Sequence, residues 1–119
     1  MGRLRKAERF LLAAETIAGV LDQEDDPEIG DAYVTLCVHA GVAASDVICC
    51  RRLGVHSQGP DHDDARGLLA KVDTKAGQQL GVLLSMKYEA GYSALPVSAA
   101  DRKRAARAAG ALVELARRG

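Results

Sequence analysis

A chain of 119 residues, 48% of them hydrophobic, is long enough to bury one domain core without metal or disulfide staples. Sixteen basic and sixteen acidic residues cancel, so net charge argues for neither a nucleic-acid nor a membrane partner. With 3% aromatic residues and no tryptophan, the chain also lacks stacking platforms for single-stranded nucleic acid.

The charge is unevenly placed. Arg3, Arg5, Lys6 and Arg9 crowd the beginning, and Arg102, Lys103, Arg104, Arg107, Arg117 and Arg118 the end. The acidic residues gather in two connections, Asp22 to Asp31 and Asp61 to Asp64. Cys37, Cys49 and Cys50 are odd in number with two adjacent, which fits a reducing cytoplasm rather than a secreted disulfide framework. They contain no C-x-x-C pair, so neither a metal nor another cofactor is expected, and the thiols read as small buried hydrophobes. Arginines before FLLAAETIAGVL imitate a signal sequence, but Glu15 interrupts the apolar run and no cleavage motif follows.

In chain order, residues 3–21 predict an amphipathic helix with Leu4, Ala7, Phe10, Leu11, Ala14, Ile17, Ala18 and Leu21 on one stripe. The acidic link DQEDDPE contains Pro27 and leads to Ile29–Leu53, the longest proline-free apolar stretch. As a helix it would run about 38 Å and organise the rest. Gly30 and Asp31 are placed to cap it and Gly54 to end it. The competing reading is two buried strands, Ala32 to Val38 and Val47 to Cys50, because Val34, Leu36 and Val38 also alternate.

Beyond Gly54, Gly59 and Pro60 mark a turn, and Asp61 is placed to cap a short helix carrying Ala65, Leu68, Leu69 and Val72. Asp73 or Thr74 starts another, whose stripe Ala76, Leu80, Leu83, Leu84 continues onto Lys87. A lysine on that face must reach water along its stem or meet a partner. Asp46 is the carboxylate nominated as that partner, the plainer reading being a solvent-facing aspartate. After the break at Pro96, Ser98 and Asp101 form a capping box for a final helix with Ala105, Ala109, Leu112, Val113 and Ala116 inward. The sum is an all-α single domain, an up-and-down four-helix bundle with an additional short helix.

Three pieces carry a resemblance: the central DAYVTLCVHAGVAASDVI, the following GPDHDDARGLL, and the terminal MKYEAGYSALPVSAADRKRAARAAGALVELA. In this order they resemble the HEPN superfamily of small helical domains, many of them ribonucleases or partners of nucleotidyltransferases. The second piece resembles the family's turn with a histidine before a short Leu-Leu helix, which places His62 there. The third resembles the segment where catalytic members carry an arginine, four to six residues and a histidine. Here those positions hold Lys87 and Tyr92.

In the nucleases that pair is thought to act without metal on the ribose hydroxyl and scissile phosphate, often across a dimer interface. Lysine keeps a point charge for phosphate but loses the bidentate fork. Tyrosine, with a pKa near 10, is ionised to about one part in a thousand at pH 7, a poor stand-in for histidine.

The resemblance therefore implies a noncatalytic, homodimeric binding or regulatory module using Lys87, Tyr92, Asp46 and His62, with RNA, a nucleotide or a nucleotidyltransferase-type protein as partner. The alternative is a toxin-like, metal-independent endoribonuclease acting through Lys87 and Tyr92. Arg51 and His56 keep the catalytic spelling in the wrong place and read more simply as a basic helix end followed by a loop histidine. His39, seven residues before Asp46, reads as a structural histidine.

Overall fold

The computed structural model describes residues 2–21, 27–55, 62–92 and 97–118. Five helices follow one another: α1 (Gly2–Leu21), α2 (Pro27–Leu53), α3 (His62–Val72), α4 (Thr74–Tyr92) and α5 (Ala99–Arg118). Among the described residues there is no strand, and the segment offered for two strands lies inside α2. The alanines at 40, 43 and 44 keep the backbone helical there, while neighbouring helices bury Val34, Val38, Val47 and Ile48.

Helix ends follow local chemistry. Gly54 has φ 75° and its N–H returns to the Cys50 carbonyl at 3.0 Å. That left-handed stop terminates α2 as its sequence predicts. Asp73 separates α3 from α4 by a single residue: its N–H donates to Leu69 O and its Oδ1 accepts from Ala76 N, both at 3.0 Å. Ser98 Oγ accepts from Asp101 N at 3.1 Å and opens α5.

The start of α2 differs from expectation. Pro27 takes the first helical position, where its missing N–H costs nothing and its fixed φ suits the helix. Asp31 therefore lies within α2 and does not cap it. Its Oδ1 instead accepts from Val97 N at 2.9 Å, 66 residues away, fixing the approach to α5. Asp31→Ala is expected to destabilise the protein by about 1–3 kcal/mol by orphaning that N–H. Asp31→Asn, which keeps an acceptor, should recover most of it in urea unfolding.

The four longer helices alternate in direction. Arg3 reaches Cys50 and Arg117 pairs with Glu8 at 2.9 Å, so α1 runs antiparallel to both α2 and α5. Gly30 lies against Arg102 and Arg51 bonds the Ala116 carbonyl, so α5 runs parallel to α2. Ile48 and Arg51 share a concavity with Val72 and Asp73, while Gly41 meets Leu83; α4 is thus antiparallel to α2. α2 packs against each of the other four helices.

Leu69, Leu80, Leu83 and Leu112 are fully buried around α2, together with Val34, Cys37 and Val113. Ile29–Leu53 is long and apolar enough to cross a membrane, yet most of it is buried inside the molecule, the arrangement of a core helix.

Candidate functional site

α4 carries the lysine singled out by its sequence. Leu80 and Leu83 are fully buried and Ala90 is 8% exposed, and Lys87 continues their stripe half-buried. Its alkyl stem can lie along the packed face while the ammonium reaches water. Among the described residues Lys87 forms no ion pair. Tyr92 is the last residue of α4, five positions on and about 7.5 Å along the axis. The side chains of Tyr92 and His62 lie outside the described residues, as does His56.

α3 returns along α4. Arg66 lies against Gly81 and Ala70 against Gly77, so the two helices are antiparallel and in close contact. That register carries position 62 to the level of Ser85, one turn or less from Lys87. Positions 62, 87 and 92 thus lie at the same half of α4, with position 92 turned about 140° around the helix from Lys87.

Asp46 does not join them. Gly41 and Leu83 sit at one level, with Asp46 five residues beyond it on α2 and Lys87 four residues beyond it the other way. Their separation is about 13 Å along the axes, plus an interaxial 8–10 Å. A lysine and an aspartate cannot span this, so the expected pair is not made. Asp46 instead stands one turn from Cys49 and influences its thiol.

Arg51, half of the misplaced catalytic spelling, has a structural task. Its guanidinium donates to the Ala116 carbonyl in the last turn of α5, satisfying an orphan acceptor at the negative helix end. His39 is exposed, and its ring stacks on Phe10 of α1 with centroids 5.1 Å apart and planes 24° from parallel. It is a packing histidine.

Cys37 and Cys49 are buried, whereas Cys50 is half-buried. Burial pushes the Cys37 thiol up to about 11, only partly offset by its hydrogen bond with Tyr33. Burial, followed by the nearby Cys37, raises the Tyr33 hydroxyl to about 12. Burial likewise raises Cys49. Raised acid pKa values mean that the neutral forms support the fold. That stability is complete below the ordinary thiol value of 9.0 and falls as pH rises through about 11. The urea midpoint should accordingly fall between those values. Because the thiolate is the reactive form, a maleimide near neutral pH is expected to label Cys50 first in the native state and all three thiols in denaturant. Equal native rates at the three would contradict the packing.

Among the described residues no group of three or more His, Cys, Asp or Glu side chains is placed to hold a metal. No family model, no curated protein and no solved structure matches the chain.

Proposed function

We propose that the chain is a noncatalytic HEPN-like module: α1, α2, α4 and α5 form an up-and-down four-helix bundle, α3 is the additional short helix, and two copies associate. It binds or regulates a phosphate-bearing partner, either RNA or a nucleotide, or a nucleotidyltransferase-type protein. The observation that carries this reading is the half-buried Lys87 on the inner stripe of α4, with the start of α3 brought to its level. A lysine held there supplies a point charge for one phosphate without the fork of an arginine. Tyrosine at position 92 replaces the residue best suited to proton transfer near neutral pH.

The deciding experiment incubates a labelled structured RNA with purified protein in chelator, beside identically purified Lys87→Ala and Tyr92→Ala. The expected result is no cleavage by the folded wild type, together with mononucleotide binding that Lys87→Ala weakens at least about tenfold. Light scattering should give twice the 12.6 kDa chain mass. Cleavage by the wild type that both variants lose would replace this reading with a metal-independent ribonuclease.

A further inference from the structure

Basic residues from opposite ends of the chain, Arg3 and Lys6 with Arg118, meet at one end of the molecule. Because α1 and α4 begin where α2, α3 and α5 end, the first turns of two helices and the last turns of the three others share that pole. Three concavities run around it. One of about 610 Å³ is lined by Arg3, Lys6 and Arg51, and one of about 350 Å³ by Arg51, Arg52 and Arg118. A third, of about 270 Å³, is lined by Lys75 and Arg118. Arg51 joins the first to the second, and Arg118 with Asp73 and Leu115 joins the second to the third.

The acidic groups in these walls are Asp73 and Glu114. Asp73 is committed to Ala76 N, and Glu114 to Arg117 and Arg118 at 3.6 Å. Lys6, Arg52 and Lys75 are exposed and form no ion pair among the described residues. A chain with no net charge thus places a cationic surface at one pole.

The geometry points to this pole as a binding surface for the phosphodiester backbone of a nucleic-acid duplex, read without sequence preference. The molecule is 24 × 21 Å across, and a duplex spanning about 24 Å presents roughly 14 phosphates, enough for several contacts at once. Tyrosine and phenylalanine total four in the whole chain, so bases have little to stack on, and a duplex, which hides its bases, fits better than a single strand. A membrane surface fits less well, because the charges line concavities and not a flat face that apolar side chains could carry into lipid. The surface lies at the opposite half of α4 from Lys87 and is independent of the function proposed for that lysine.

The test is fluorescence anisotropy of the full chain with labelled RNA and DNA duplexes of about 20 base pairs, titrated at several salt concentrations. The paired variant Arg52→Glu/Lys75→Glu is compared with Lys103→Glu/Arg107→Glu, which makes the same charge change on exposed α5 positions away from the pole. Circular dichroism verifies that both fold. The expected result is binding to at least one duplex, weakened tenfold or more by the first pair, whose salt slope falls by roughly 2, and little changed by the second. RNA against DNA distinguishes the source of the backbone. Equal loss in both pairs, absence of duplex binding at low salt, or tighter binding to single strands or anionic phosphatidylserine vesicles would overturn the assignment. Lys87→Ala should bind duplex like the wild type, so failure of the α4 reading remains separable.

Discussion

Leu112→Ala is expected to lower the unfolding free energy by about 3–5 kcal/mol, the upper range for deleting a buried leucine. Leu112 is fully buried in α5, with its Cδ1 3.4 Å from where a Cβ on Gly41 would stand. Truncation removes apolar atoms from the seam between α5 and α2, and the close approach at Gly41 leaves little side-chain matter to slide into the gap. A domain of this size holds only about 5–15 kcal/mol in total, so the variant approaches the edge of folding. Its melting temperature should fall by roughly 10–20 °C. In urea the midpoint should move with the slope unchanged. Leu12→Ala, at a position 53% exposed on α1, should stay within about 0.5 kcal/mol of the wild type. A loss below about 1 kcal/mol at Leu112 would mean that α5 is not seated as described.

The second large effect is expected at Gly41. A Cβ there would lie 2.3 Å from Leu83 Cδ1, and Leu83 is itself fully buried, so its tip has no solvent to swing into. Gly41→Ala gains up to about 1 kcal/mol of helix propensity. Against this stands an overpacking cost of about 1–3 kcal/mol, which should win. Gly41→Leu inserts a whole side chain into the same contact and is expected to abolish the native packing of α2 on α4. Shortening the opposing side chain should partly restore Gly41→Ala, so a cycle with Leu83→Val is expected to show coupling above about 0.5 kcal/mol. Gly110→Ala is the opposing control: apart from its chain neighbours and its own helix backbone, no described atom lies within 4 Å of its Cβ position, so helix propensity alone should make it neutral to stabilising. The same substitution at two helical glycines thus takes opposite signs.

Gly41 also marks where sequence reading stops. Within Ile29–Leu53 it is a weak helix former among alanines, and nothing nearby says that another helix approaches there. The end of α2 and the start of α5 were legible because their chemistry is local: Gly54 bonds back four residues, and Ser98 bonds forward three. Asp73 was legible as the boundary of α4 for the same reason, through Ala76 N three residues ahead. Asp31 was misread because an aspartate near a helix start resembles a cap, whereas its partner is Val97, beyond two intervening helices. Arg51 belongs with it, since a basic helix end is visible in sequence but the Ala116 carbonyl that it serves is not.

The candidate site divides along the same line. Lys87 was identifiable from the periodicity of α4 alone, because the three- and four-residue steps of a helix put it on the inward stripe. Its relation to Asp46 depended on the register between α4 and α2, and packing at Gly41 and Leu83 set that register against the pair. The cationic pole was less visible still. Its residues come from both chain termini, the end of α2 and the start of α4, and in sequence they are separate runs balanced by acidic connections.

By itself the sequence determined that the chain is helical, where the helices stop, and which stripes face inward. These properties rest on hydrophobic periodicity and on hydrogen bonds spanning three or four residues. The tertiary structure alone decided which helix ends share a pole, which carboxylate cannot reach Lys87, and which glycine admits no side chain. Those depend on how far one helix slides along another, a quantity set by the interlocking of side chains from distant segments.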